Sequence, residues 1–538
     1  MGLARLHKAG TLLVASLLFV LTAATRCHSG CNATCERDVS RCIATQCDGI
    51  GRETCRRRCK PAAIRTLAYA QSECREDRSS HSYVAHEELR IRRGDREPIT
   101  VATFDSPRVA DPLGFCPAWA GVGFGGSSVL AYPLQRLGVS PDGSTIVYEV
   151  NDAAPFFPFG PLPAADNGLF MVRSDGSGGR RLGPPSGDKS FRLGPAFGNS
   201  IDLFTYTFSP PIAFSPDGRR ITFTDLGPAP DGQQAVQIAV LDLATGDRRL
   251  LTRLPAGTDP TPEPDNPFNS PFFLTCCPRF VANDTIVFQT YADPEGARPA
   301  DLNTLSFFTI GIDGRHLTAL PKPTLSPGAQ LIPTFSVAGG WIELLRVSLP
   351  GTPTGPPISP PGSTFPITEI FVQYGKRQLV QLTNYRRLDT WAGFLTRDRK
   401  RAVFLASADP VRMNPDGSCQ LFSVDVHGGV PRQITHLDPG SPVTNPGCFL
   451  PSGIGYGGFR AITQDPATRT IVFNTTLDAL KLRPGTSVYL GEADQIFAIR
   501  PDGSGLRQLT EAAGVTANPD GSVRVELPGP FAYSTVLP

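Results

Sequence analysis

The sequence predicts an all-β protein, a β-propeller built from four-stranded antiparallel blades. Three observations carry that prediction. A turn phrase with alternating apolar flanks recurs along the chain, a hairpin phrase follows it, and the composition is turn-rich, with 54 glycines and 53 prolines in 538 residues. The turn phrase reads "SPDGSTIVY" from Ser140 and "SPDGRRITF" from Ser215, with weaker echoes in "VANDTIVF" from Val281 and "QDPATRTIVF" from Gln464. Pro216 suits the first corner position of a type I turn, Asp217 tolerates the second, and Gly218 takes the left-handed conformation that follows. Such a turn closes a short hairpin with a bulge. Ile212 and Phe214 alternate before the corner and Ile221 and Phe223 after it, the period of half-buried strands.

The second phrase reads "LFMVRSDGSGGRRL" from Leu169, "VQIAVLDLATGDRRLLT" from Val236 and "FFTIGIDGRHLTAL" from Phe307. Later copies are "EIFVQYGKRQLVQLT" from Glu369, "QLFSVDVHGGVPRQIT" from Gln420 and "QIFAIRPDGSGLRQLT" from Gln495. Each is an apolar strand, a tight turn, and a short strand, most of them ending near Leu-Thr. Corner hairpin plus tail hairpin makes one blade, repeated six times at a period of roughly 50–75 residues. A seventh corner, "NPDGSVRVEL" from Asn518, has no complete tail. Six full blades and a seventh or closing part-blade shared with an N-terminal strand are therefore expected, the candidates being "ITVATF" from Ile99 and "SSVLAYPL" from Ser127. Six blades with a terminal extension is the alternative.

These phrases resemble the TolB-type propeller repeat, also seen in the propeller domains of prolyl-oligopeptidase relatives. The resemblance spans about residues 134–534 and is carried by Ser140–Tyr148, Ser215–Phe223 and Gln495–Thr510. It weakens in blades three to five, where Pro-Asp-Gly is lost at the corner. The resemblance implies a fold and a habit of binding other molecules, not a reaction.

The N-terminus addresses compartment. Arg5, His7 and Lys8 precede an apolar run from Ala9 to Ala24, broken only by Gly10, Thr11, Ser16 and Thr22. This reads as a signal peptide over residues 1–24, cleaved before Thr25. The run is short for a membrane span, and Arg26 disfavours lipid attachment at Cys27. The expectation is a periplasmic or secreted protein with no membrane span after signal removal.

Eight of the 13 cysteines fall between Cys27 and Cys74. In an exported chain they predict a disulfide framework over residues 25–76 rather than a zinc cluster, since Cys-x-x-Cys pairs are absent. Cys31 and Cys35 are four apart, as are Cys55 and Cys59, so each pair shares a helical face. Folding the chain about residue 45 aligns Cys31 with Cys59, Cys35 with Cys55 and Cys42 with Cys47, leaving Cys27 and Cys74. The pattern looks like a small disulfide-stapled α-helical hairpin. Residues 77–97, charged and poor in apolar side chains, read as a linker, with the propeller over 98–538. In the propeller, Cys419 with Cys448 and Cys116 with Cys276 or Cys277 are the expected pairs.

The sequence contains no Gly-x-Ser-x-Gly elbow, His-Glu-x-x-His, phosphate loop or dinucleotide fingerprint. Within the propeller the histidines are His316, His427 and His436, with His316 and His427 placed on tail turns two blades apart. No cofactor, metal site or catalytic residue is expected, Asp152, Asp166 and Asp409 being the only modest acidic candidates. A net charge of +2 and the lack of a basic, aromatic-laced face argue against nucleic acid as a partner.

The long insertions are expected to sort onto one face of the propeller. Residues 151–168, 349–366 and 407–419 join second to third strands, and 183–210, 255–277 and 437–461 join blades. Phe156, Phe157, Phe159, Phe268, Phe272 and Phe273 on these loops form either an aromatic recognition surface or a lid over the channel. The functional expectation is a non-enzymatic, exported scaffold presenting that face to a protein or glycan partner in the cell envelope. The alternative is an extracytoplasmic polysaccharide lyase or hydrolase with its site at the channel mouth.

Overall fold

The computed structural model describes residues 62–533, apart from the stretches 111–133, 151–165, 187–211, 256–274, 295–305, 352–366, 438–458 and 476–494 and several shorter gaps. Four strands open it: β1 (Thr66–Asp77), β2 (Ser82–Arg93), β3 (Ile99–Asp105) and β4 (Val109–Ala110). Blade one is β5 (Leu134–Val139), β6 (Thr145–Val150), β7 (Gly168–Arg173) and β8 (Arg180–Gly183). Blade two is β9 (Ala213–Phe214), β10 (Arg220–Pro228), β11 (Gln234–Asp242) and β12 (Arg248–Leu250). Blade three is β13 (Thr275–Ala282), β14 (Thr285–Thr290), β15 (Ser306–Gly311) and β16 (Thr318–Ala319). Blade four is β17 (Gln330–Ala338), β18 (Trp341–Leu349), β19 (Ile367–Tyr374) and β20 (Gln378–Gln381). Blade five is β21 (Trp391–Leu395), β22 (Arg401–Ala406), β23 (Gln420–Asp425) and β24 (Arg432–Gln433). Blade six is β25 (Phe459–Gln464), β26 (Ile471–Thr475), β27 (Gln495–Ile499) and β28 (Arg507–Gln508). A final hairpin is β29 (Gly514–Ala517) and β30 (Val523–Tyr533).

Each of these six blades is an antiparallel meander in chain order, and the seventh blade is composite, ordered β29-β30-β1-β2-β3 with β4 on β2. β30 runs antiparallel to β1, with Arg524 opposite Arg75 and Tyr533 opposite Leu67. It also lies beside β5, the first strand of blade one. The end of the chain therefore supplies the inner strand of the closing blade and the start supplies its outer strands. The expected shared closing blade is present, but its seam lies elsewhere than expected. Ile99 falls in β3, two strands from the seam, and Ser127 lies outside the described residues.

Two expected boundaries are corrected. The cysteine-rich hairpin was expected to reach residue 76 and the linker to fill 77–97, yet β1 and β2 occupy most of 66–93. The physical reason is a two-residue period hidden by charge. Leu89 and Ile91 point into the core shared with blade one, while Glu88, Arg90 and Arg92 alternate between them on the other side of the sheet. The propeller thus begins before Thr66, not at 98. The rest of the expected helical hairpin, Cys31, Cys35, Cys42, Cys47, Cys55 and Cys59 included, lies outside the described residues.

The corners form as predicted, and the structure explains the serine. Gly143 and Gly218 have φ of 73° and 71°, and their N–H groups donate to Ser140 O and Ser215 O at 2.8 Å. Ser140 Oγ donates to Asp142 Oδ1 (2.6 Å) and accepts from Thr145 N (2.9 Å). Ser215 Oγ repeats both bonds with Asp217 Oδ1 (2.6 Å) and Arg220 N (3.0 Å). Blade five keeps this geometry without the motif. Thr396 stands for serine, bonded to Asp398 Oδ1 (2.8 Å) and Arg401 N (3.1 Å), and Arg399 holds the glycine position at φ 53°.

A second device recurs in the tail hairpins. In blade five Gln420 Oε1 accepts from Thr435 Oγ1 (2.8 Å) and Leu437 N (3.0 Å), while its Nε2 donates to Leu437 O (2.9 Å). Thr435 Oγ1 in turn accepts from Leu421 N (2.9 Å). Gln237 makes the same set with Thr252 and Leu254, and Gln495 with Thr510 and Ala512. The clamp ties the third strand to the link that leaves the fourth, satisfying backbone groups that burial would otherwise strand.

Blade four places Glu369 at this position, accepting from Thr383 Oγ1 (2.5 Å) and Arg386 N (2.6 Å). Burial pushes the Glu369 carboxyl above its usual range, more than these hydrogen bonds lower it. A group whose folded pKa is raised supports the fold below its unfolded pKa and loses that support as pH rises. Glu369→Gln should therefore raise the melting temperature at pH 8 and leave it nearly unchanged near pH 4, measured by scanning calorimetry. A uniform shift at both values would show that the raised Glu369 carboxyl does not make stability fall with pH.

Between blades, the core is a series of apolar clusters, such as Ile221, Phe223 and Leu241 against Val147 and Leu169. Aromatic pairs sit opposite each other on second and third strands: Tyr148 with Phe170, Phe288 with Phe308, Phe404 with Phe422, and Phe473 with Phe497. Their ring centroids lie 5.4–5.8 Å apart, the cross-strand stacking that stabilises a pleated surface. Fourth-strand arginines reach to the next blade's turn: Arg180 to Leu243 O, Arg249 to Ile312 O and Arg432 to Asp502 O. Arg507 pairs with Asp95 of the closing blade.

Candidate binding face

Strand order divides the connections between two faces. First-to-second and third-to-fourth turns lie on one face, the short-turn face, as at 140–144, 215–219, 243–247 and 426–431. Second-to-third connections and links between blades lie on the other. The eight long stretches outside the described residues are all connections of the second class, by the order of the strands they join. By strand order, β29 and β30 are also joined on the long-loop face.

The connection 407–419, apart from residue 416, is described and shows how this face is built. Asp409 Oδ1 accepts from Met413 N (2.6 Å) and Asn414 N (2.8 Å). Asn414 Nδ2 donates to Ser418 O (2.8 Å), and Ser418 Oγ donates to Asn414 Oδ1 (2.9 Å). Gln420 Nε2 then bonds Ser418 Oγ (2.6 Å), joining the loop to the tail clamp. Asp409 is consequently a loop cap, one of its carboxylate oxygens taken by backbone amides. The loop holds out Arg412, at φ 56°, and Met413, which is 51% exposed.

The long-loop half of the closing blade carries a charged array, in which His86, Glu88 and Arg90 come from the expected linker and Glu73 and Arg75 from the expected cysteine-rich hairpin. Arg524 donates to both oxygens of Glu73, at 2.7 and 3.1 Å, and Arg75 also bonds Glu73. His86 Nδ1 lies 2.7 Å from Asp105 Oδ1, and its Nε2 lies 3.2 Å from Glu88 Oε1. Arg90 Nε donates to Glu88 Oε2 at 2.6 Å, and its Nη1 to Gln71 at 2.5 Å. Burial alone would raise Glu73 and Glu88, but the arginine and histidine hydrogen bonds outweigh it and hold both carboxyls below their usual range. Burial likewise opposes charge on His86, and its carboxylate partners overcome it and raise its pKa. The side chains come from β1, β2, β3 and β30, so this array spans the seam between chain start and chain end.

Beneath the long-loop face, blades one and two share a buried polar network. Arg136 and Glu149 pair at 3.3 Å with side chains 1% and 2% exposed. Arg136 Nη1 donates to Thr224 O of blade two (2.8 Å), and Ser186 bridges Glu149 Oε1 and Thr224 O, both at 2.8 Å. In sequence, Arg136 and Glu149 flank the first corner as ordinary strand residues. Nothing in their spacing distinguishes them from surface charges.

Of the expected site residues, Phe156, Phe157, Phe159, Phe268, Phe272 and Phe273 lie outside the described residues, as do Asp152, Cys27, Cys116 and Cys448. Cys74 and Cys419 are each disulfide-bonded and almost fully buried. Asp166 is exposed just before β7. His316 and His427 sit on tail turns of blades three and five, on the short-turn face and away from each other, as expected. Among the described residues no three His, Cys, Asp or Glu side chains group as metal ligands. Also among them, no helix is long and apolar enough to cross a membrane.

Fold and face together define a seven-bladed β-propeller repeat protein with one elaborated face. No family model matches the sequence, and no curated protein matches it. Solved structures are similar at low identity. Tricorn protease is 12% identical over 72% of this chain and 27% of its own, with a TM-score of 0.35. The acylaminoacyl peptidase of Pyrococcus horikoshii is 10% identical over 82% of this chain and 52% of its own, at 0.39. Oligogalacturonate lyase from Vibrio parahaemolyticus is 8% identical over 82% of this chain and 98% of its own, at 0.40. The chain spans about half or less of the length of the two peptidases.

Proposed function

We propose that the protein is an exported, non-enzymatic binding scaffold, a TolB-like propeller that offers its long-loop face to a protein or glycan partner in the cell envelope. The observation that carries this reading is the sorting of every long connection onto one face while the other keeps only tight turns. A rigid scaffold with elaborated loops on one side is suited to recognition. The loop acid at hand, Asp409, is engaged in holding a loop in shape, which favours presentation over acid–base chemistry. The apolar run at the N-terminus and the cysteine-rich segment support export, and the aromatic loop residues supply anchors.

The test uses a partner recovered by crosslinking in the native envelope. Replacing residues 153–163 by a short Gly-Ser link removes Phe156, Phe157 and Phe159. Affinity should fall by roughly tenfold or more, since interface aromatics commonly contribute about 2 kcal/mol each. The melting temperature should stay within about a degree or two, because shortening a loop changes closure entropy little. Unchanged affinity with a clear loss of stability would instead make these side chains a lid, and turnover on a panel of glycans and peptides would favour the enzyme reading.

A further inference from the structure

Blade five holds an arginine and a methionine out on the long-loop face. Arg412 is exposed, and among the described residues its guanidinium has no hydrogen-bond or ion-pair partner. The fourth-strand arginines differ, since Arg180, Arg249 and Arg432 give their donors to backbone carbonyls of the next blade. Met413 is 51% exposed, whereas the other large exposed apolar side chains among the described residues, Ile99, Leu317 and Val430, lie on the short-turn face. The loop holds this pair still. Asp409 Oδ1 accepts from Met413 N (2.6 Å) and Asn414 N (2.8 Å). Asn414 is 2% exposed and its Nδ2 donates to Ser407 O, Ala408 O and Ser418 O, and Cys419 at the loop's end is disulfide-bonded. Arg412 sits at φ 56°, a conformation that strains every residue but glycine. A second arginine shares this feature: Arg386, in the link entering blade five, is exposed at φ 53°. Tyr385 and Val411, next to the two arginines in sequence, pack on one apolar cluster with Phe404 and Ala408.

A strained backbone that its surroundings hold in place marks a position where geometry matters. What this position offers is specific in its chemistry. A guanidinium receives a carboxylate in a two-pronged fork, and a flexible thioether side chain adapts to varied apolar partners. The geometry points to Arg412 and Met413 as a docking point for an acidic, apolar stretch of peptide. An Asp or Glu carboxylate is received by Arg412 and the neighbouring apolar side chain by Met413, while Arg386 adds positive charge where the two loops leave their shared cluster. A neutral glycan would give Arg412 no countercharge and Met413 little apolar surface to cover. The inference rests on the long-loop face being the recognition face, and it narrows the occupant there to an acidic segment of a protein partner.

Methyl NMR on the full-length protein, carbon-13 labelled at methionine, tests it. Met413 reports on the site, and Met171, packed against the cluster between blades one and two, is the internal reference. The probes are pools of short peptides with a fixed central Glu-Leu pair and randomised flanks, with matching pools that carry Gln for Glu or Ser for Leu. The Glu-Leu pool should shift the Met413 methyl and not that of Met171, and the binding should weaken as salt rises. Each matching pool should bind roughly tenfold more weakly. No shift at Met413, or an equal shift with the Gln pool, overturns the proposal. A shift with an oligouronate and none with the peptides also overturns it, assigning the site to an acidic glycan. Arg412→Gly then separates binding from folding. Glycine suits φ 56°, so the variant should keep or raise the melting temperature while its affinity for the Glu-Leu pool falls roughly tenfold. A lower melting temperature with unchanged affinity would make Arg412 a structural residue and overturn the proposal. With the crosslinked partner, binding lost on replacing 153–163 but kept in Arg412→Gly overturns this inference alone. Peptide binding at Met413 with partner binding unchanged in both variants would instead overturn the long-loop reading and leave the peptide site standing.

Discussion

Glu149→Ala should lower the unfolding free energy by about 3–5 kcal/mol, the loss typical when one partner of a buried ion pair is removed. The size follows from what is left behind. Arg136 stays 1% exposed with this carboxylate gone, and Ser186 N loses its acceptor. Replacing Arg136 and Glu149 together by leucine should be much milder, because an apolar pair needs no solvation. Urea unfolding with unchanged slope and a shifted midpoint measures both. A single variant no worse than the double would show that solvent reaches Arg136 and that the network is not sealed.

Gln420→Ala is the second large loss, expected at about 2–4 kcal/mol, since it orphans several buried polar groups at once. Leu437 N, Leu437 O and Thr435 Oγ1 all bond the Gln420 amide, and Thr435 Oγ1 also serves Leu421 N. The loop 407–419 should loosen with it, because Ser418 Oγ is the other acceptor of Gln420 Nε2. Hydrogen exchange at Met413 and Asn414 N–H separates the two effects. Stability loss without faster exchange there would mean that Asp409 holds the loop independently of the clamp.

The same residues show how much of the fold was legible. The tail phrases open on Gln or Glu and end on Thr in several blades, and the alternation of apolar residues already marked the strands. What could not be read was that the first and last letters of the phrase touch, because the hairpin turn between them brings residues 15 apart in sequence into contact. In sequence, Gln420 and Thr435 are only a polar residue at the start of one strand and another just past the end of the next. The corner is legible as a turn from its proline, aspartate and glycine, whereas the serine's part shows only in the structure, where Ser140 and Ser215 bond both the aspartate and the backbone across the turn. Blade five shows the limit of motif reading. Thr396, Asp398 and Arg399 rebuild the corner with different letters, since the geometry asks for a hydroxyl, a carboxylate and a tolerated positive φ.

The closing blade departs from the expected boundaries, and the cause is physical. Composition marks residues 77–97 as solvated, because charge density is a property of a window. Whether charges are solvated or paired depends on the strands laid beside them. Glu73 meets Arg524 only when residues about 450 apart share a sheet, and His86 meets Asp105 only across β2 and β3. Local sequence determined the architecture of this protein: all-β, hairpins built on tight turns, and repetition enough for a closed ring. Those features follow from turn chemistry and a two-residue period, which act over neighbouring residues. Tertiary structure alone decided where the ring is sealed and which charges are buried in pairs. Those depend on contacts between distant segments, and such contacts leave no period in the sequence.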